Sequence, residues 1–146
     1  MDKSLIGIAG AHFVAGELSR KGYISTLTSR NTEGIDILAS NKDGSKTIAI
    51  QVKTTAGKSN PRDWILSEKI EKMSSKNLVY VFVNLKSQIP EFFIVPSKDV
   101  AKYAKTDYDI WIKSPNKKGG KHHHTTIRMF RDRDGKYLNR WDLLGL

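Results

Sequence analysis

Cysteine is absent from the 146 residues. That excludes a disulfide framework, a thiol nucleophile and a cysteine-ligated zinc site, and it fits a reducing compartment. Long apolar runs are also missing, so nothing in the sequence spans a bilayer, and the first residues lack a signal-peptide profile. A cytoplasmic protein without a membrane partner is expected. No G-x-S-x-G elbow, Walker loop or dinucleotide fingerprint occurs, and there is no internal repeat or low-complexity tract. Acidic residues are few: 15 Asp and Glu face 25 Lys and Arg, leaving a formal charge of +10. With a pI of about 9.8, the chain favours a polyanionic partner, nucleic acid before membrane, because no strongly amphipathic basic helix is evident. Its length predicts one domain over residues 1–146, with a basic C-terminal extension from about residue 107.

Against this background one stretch stands out. Gly34-Ile35-Asp36 is followed, after Asn41-Lys42-Asp43-Gly44, by Ile48-Ala49-Ile50-Gln51-Val52-Lys53. The intervening residues favour a turn, so the flanking strands are predicted to be antiparallel neighbours. Ile48, Ile50 and Val52 alternate with Ala49, Gln51 and Lys53, which sends Gln51 and Lys53 to one face and leaves the other to pack. Upstream, Ile8, Ala11, Ala15 and Leu18 recur at helical spacing and predict a helix from Gly7 to Gly22, with Gly22 at its C-terminal cap. Glu17 lies off that stripe, near Gly10 and Gly16, which are small enough to admit another backbone. The order is then a helix carrying Glu17 and strands over Tyr23–Ser29, Ile35–Ser40 and Thr47–Lys53.

This arrangement resembles the PD-(D/E)XK nuclease superfamily, the restriction endonuclease-like and Holliday junction resolvase-like fold, over roughly the first two-thirds of the chain. The resemblance implies an α/β fold with a restriction endonuclease-like core, a central mixed β-sheet flanked by helices in the order α-β-β-β-α-β. It places the family's helix-borne acid on Glu17, its strand aspartate on Asp36 and its lysine on Lys53. Ile35 stands where the name-giving proline would be, and Gln51 replaces the second acid, as in a Q-x-K branch that includes some homing endonucleases. The implied activity is metal-dependent DNA endonuclease cleavage with Mg2+, or Mn2+ as substitute. Asp36, Gln51 through its side-chain oxygen, the Val52 carbonyl and Glu17 would hold the metal. Lys53 would position the attacking water and stabilise developing negative charge. A homodimer is expected by analogy. Taken singly, these residues also fit plainer roles: an Asp36–Lys53 cross-strand ion pair, Gln51 on a wet sheet face, and Glu17 paired with Lys21 on the helix. Two alternatives keep the fold without the activity: a catalytically weak nucleic-acid-binding module, or an interaction subunit of a defence or repair complex.

Basic residues crowd the C-terminal third, and Lys58, Arg62, Lys117, Lys118, Lys121, Arg128 and Arg131 are candidate phosphate contacts. Trp64 reads as a buried anchor ahead of a stacking platform. His122-His123-His124 reads as a polar loop or phosphate contact; consecutive side chains diverge and no distant ligands match them as a metal site. Beyond Lys53 the pattern predicts a helix over Leu66–Lys76, a strand buried on both faces over Leu78–Asn84 and a strand over Glu91–Val95 closed by Pro96. A helix capped by Ser97 then runs to about Lys105, and a terminal helix covers Asp132–Leu144, packing through Tyr137, Trp141 and Leu144. Ser114–Lys121 reads as a flexible loop, either a DNA-facing lid or disordered.

Overall fold

A computed structural model describes residues 2–29, 33–57 and 60–146. The first helix, α1 (Lys3–Arg20), begins one turn earlier than its apolar stripe suggests because the Asp2 carboxylate accepts the Ser4 N–H at 2.8 Å and caps it. It stops at Gly22, whose φ of 88° a side chain would resist. The strands follow as β1 (Ile24–Leu27), β2 (Ile37–Ser40), β3 (Thr47–Thr55), β4 (Asp63–Ser67), β5 (Leu78–Asn84) and β6 (Glu91–Pro96); α2 (Ser97–Lys113) and β7 (Ile127–Arg131) complete the list. The central sheet has the order β1-β2-β3-β5-β6. Only β3 and β5 run parallel; the other neighbours are antiparallel, so the sheet is mixed.

Strand alternation divides the core in two. On one face Ile37, Ile48, Ile50 and Val52 pack with Val14 and Leu18 of α1, and Trp141 and Leu144 close the layer. On the other, Tyr80, Phe82, Phe93 and Val95 meet Val100 and Ala104 of α2 and Trp64, Leu66 and Phe130 of a small second sheet formed by β4 and β7. β5 lies between these layers and is buried almost throughout, as its unbroken apolar run predicts. Gly10 lets α1 settle on β3, because a methyl there would overlap the Thr54 side chain. Gly16 faces open space and plays no such part.

Several local expectations are corrected. Leu66–Lys76 is not a helix: Leu66 belongs to β4, and only Glu68–Lys72 forms a short 3-10 helix. β4 pairs with β7, so its apolar positions are satisfied by a distant strand. The terminal segment does not form a helix from Asp132 either. The Asp132 carboxylate accepts the backbone N–H groups of Lys136 and Tyr137, each at 2.8 Å, and turns the chain; a 3-10 helix forms only over Trp141–Leu144. Trp141 and Leu144 are nevertheless buried. Ser97 starts α2 without capping it, since its hydroxyl accepts from Ser75 N and donates to Ser75 O. The helix continues to Lys113 rather than stopping near Lys105. The basic region beyond residue 107 supplies β7 to the second sheet and lays residues 137–139 along β6, with Ile94 N donating to Tyr137 O and Asn139 N to Phe92 O.

Candidate active site

Asp36 sits at the entrance to β2, just after Gly34 turns the chain with φ 75°. Its backbone is held from both sides: Thr28 N donates to Asp36 O and Asp36 N donates to Ile50 O, each at 2.9 Å. Thr28 Oγ1 also donates to Ile35 O at 2.6 Å. The carboxylate thereby meets β3, where Oδ2 accepts the Val52 N–H at 2.7 Å and a Gln51 side-chain N–H at 2.8 Å. Gln51 Nε2 also lies 3.4 Å from the Val52 carbonyl oxygen. Gln51 Oε1 is buried and accepts no hydrogen bond among the described residues. Asp36, Gln51 and the Val52 backbone are thus brought together as the sequence predicts.

Two open cavities flank this point. One, of about 560 Å³, has Asp36, Thr28 and Ser29 on the strand side and Lys3, Ala11 and His12 on the helix side. The other, of about 440 Å³, is lined by Lys53, Thr55, Asp63 and again Lys3. Lys53 forms no ion pair among the described residues, so the cross-strand Asp36–Lys53 pair is not the arrangement found. Lys53 lines the second cavity.

Glu17 is not among the residues that line the Asp36 cavity. Its carboxylate pairs with Arg20 at 2.9 Å, not with Lys21, and the Arg20 hydrogen bond holds its pKa below the ordinary value. It stands five residues beyond His12, about 7.5 Å further along the axis. A titratable helix residue that does line the Asp36 cavity is His12, which the sequence reading missed. Its signal was the spacing of Ser4, Ile8 and His12, four residues apart each, which share the stripe lining the cavity.

A divalent cation, implied by the resemblance, fits the oxygen donors here. Among the described residues no three His, Cys, Asp or Glu side chains converge. A cation at this strand end would rest on the Asp36 carboxylate, the Val52 carbonyl and Gln51 Oε1, whose lack of a partner leaves it free to serve. One charge with neutral oxygens suits magnesium, which keeps several waters.

The basic candidates divide. Lys117, Lys118 and Lys121 are exposed on an ordered turn in which the Asn116 carboxamide accepts the N–H groups of Lys118 and Gly120, each at 2.9 Å. A flexible lid is therefore replaced by a built turn. Lys58 lies outside the described residues. The three arginines are engaged in ion pairs within the fold, and only Arg128 is buried. Arg62 pairs with Glu91 at 2.7 Å, Arg131 with Asp107 at 2.9 Å, and Arg128, only 5% exposed, with Glu71 at 2.6 Å. Trp64 is a core residue whose indole N–H donates to Val83 O. His122 stacks on Trp111 and His124 meets the Tyr108 hydroxyl, an aromatic corner rather than a metal site.

No protein-family model and no curated protein matches the chain. Among solved structures, a bacterial homing endonuclease, I-Ssp6803I, superposes with a TM-score of 0.58 over 99% of this chain and 92% of the other. The fold is similar to a nuclease fold. At 14% identity that likeness concerns the path of the backbone, and the mixed sheet flanked by helices is what the two share.

Proposed function

We propose that this chain is a metal-dependent DNA endonuclease of the PD-(D/E)XK type, in its Q-x-K branch. The observation that carries the reading is the meeting of the Asp36 carboxylate, the Gln51 carboxamide and the Val52 backbone at one strand end, with unpaired Lys53 two residues on. The likeness to a homing endonuclease supports DNA as the substrate, and the charge of +10 suits a polyanion. When bound, Mg2+ or Mn2+ would neutralise the phosphate and lower the pKa of an attacking water. Asp36 contributes the charged oxygen and, through its two N–H donors, keeps that oxygen fixed. Lys53 supplies a mobile positive charge to the phosphate as negative charge develops on it. Lys3, on the wall of both cavities, gives a further phosphate contact. His12 lies in the cavity wall on the helix side, and among the described residues lining it Asp36 is the lone carboxylate.

Cleavage of supercoiled, linear and branched DNA with magnesium, manganese or chelator tests this reading. Activity should need the metal and fall at least about 100-fold in Asp36→Ala and in Lys53→Ala, with circular dichroism unchanged. Equal cutting by wild type and both variants would remove these residues from the chemistry. The pairing of Glu17 with Arg20, away from the residues lining the Asp36 cavity, favours one second reading, a nucleic-acid-binding module with weak catalysis. It predicts salt-sensitive DNA binding with no metal-dependent product.

A further inference from the structure

We propose that Gln51 is a reversible ligand, a placeholder that holds the oxygen set together without a cation and turns its carboxamide to join that set when one binds. This rests on the metal reading above. In the observed orientation Nε2 stands 2.8 Å from Asp36 Oδ2 and 3.4 Å from Val52 O. These are two of the oxygens a cation would need, so the amide N–H groups offer them partial positive charge from the side chain itself. The opposite orientation would set Oε1 against the Asp36 carboxylate, acceptor to acceptor, and would be disfavoured with no cation present. That explains why Oε1 is the atom left buried and without a donor.

A half-turn about the last side-chain bond exchanges Oε1 for Nε2 and leaves the shape of the group unchanged. Adjacent ligand oxygens of octahedral magnesium, each about 2.1 Å from the ion, lie about 3.0 Å apart. The 2.8 Å separation already present between Nε2 and Asp36 Oδ2 matches that spacing. Glutamine is the side chain that serves both states at this position. A glutamate would place two carboxylates in contact in the free protein and remove the side-chain donor from Asp36. The site is therefore stable when empty, and a weaker grip on the cation accompanies that stability.

The test uses the full chain and magnesium alone. Side-chain amide N–H signals of Gln51, followed by NMR, should move strongly as magnesium saturates the protein, because the hydrogen bond to Asp36 is lost. In free Asp36→Asn the same signals should shift toward those of a solvent-exposed amide. Gln51→Glu should melt several degrees below wild type without metal, regain that loss with magnesium, and bind magnesium at least tenfold more tightly by calorimetry. Failure of Gln51→Glu to fold except with magnesium would support the same conclusion. If magnesium binds wild type but leaves the Gln51 signals unmoved, or if free Gln51→Glu melts as wild type does, the placeholder role is wrong and the metal reading survives. If wild type binds no magnesium at millimolar concentration, the metal reading fails and the placeholder with it.

Discussion

Arg128 shows what a basic residue in this chain can be doing other than touching DNA. Alternation along β7 turns it inward beside Phe130. Its guanidinium reaches Glu71 at 2.6 Å, donates to the Thr125 and Ile127 carbonyls and lies 3.5 Å above the Tyr108 ring. With so little water near it, the charge depends mainly on Glu71, with the Glu68 carboxylate further off at 3.8 Å. We predict that Glu71→Gln costs about 2 kcal/mol by chemical denaturation, because it removes the closer carboxylate and leaves the buried cation only Glu68, at 3.8 Å. The change should leave DNA affinity at fixed salt unaltered. From sequence, Arg62, Arg128 and Arg131 were legible as charges but not as pairs, since their carboxylate partners lie far along the chain and composition records no distances. Asp36 and Gln51 were legible because one tight turn brings them together, and local separation survives in the order of residues. The lone acid of α1 drew the reading to Glu17, whereas His12 is the titratable helix residue, with Lys3, that lines the Asp36 cavity.

At the scale of elements, the contact between α1 and β3 is the most sensitive. Thr54 is β-branched, so its side chain has few ways to yield to a methyl on Gly10. Gly10→Ala should destabilise the protein by about 1–3 kcal/mol despite alanine's better helix propensity, and thermal melting will register it. The ordered turn after α2 makes a separate prediction. If Lys117, Lys118 and Lys121 meet phosphates, changing all three to glutamine should flatten the salt dependence of DNA binding by roughly 2–3 units of log–log slope. Fluorescence anisotropy against salt reads it directly, and an unchanged slope would take this turn off the DNA. Long, strongly patterned elements such as β3, β5 and α1 were visible in the sequence. β4 and β7 were not, because a five-residue strand carries little more than two periods of alternation and each is defined by a partner far along the chain.

For the molecule as a whole, the response to acid follows from a few carboxylates. Glu17, Glu91, Asp43 and Asp142 all have pKa values below the ordinary range: Arg20, Arg62, Ser45 and Arg140, respectively, hydrogen-bond their charged forms. Only Glu91 joins separate elements, taking Arg62 from the β4 approach and Asn84 from β5; Glu17 and Asp142 pair with near neighbours and Asp43 lies on an exposed turn. A lowered pKa contributes stability that is full above the ordinary glutamate value and is lost as pH falls through the folded one. The melting temperature should thus drop as pH is lowered below about 4.5, and Glu91→Gln should reduce it at neutral pH while making the acid limb shallower. The mixed character of the sheet was legible in the order of its strands; the two-layer division of the core was not, since the second layer depends on the pairing of β4 with β7.

The path of residues 137–139 along β6 also bears on how this protein behaves at high concentration. β6 is the last strand of the central sheet, apolar from Phe92 to Val95, and a bare row of its peptide groups would offer other chains a template for intermolecular pairing. The backbone bonds to Tyr137 and Asn139 cover part of that row, so the C-terminal residues act as a guard against aggregation as well as a piece of the core. A truncation before residue 137 would uncover an apolar strand at the rim of the sheet, and loss of solubility, not loss of helix, should be its first symptom.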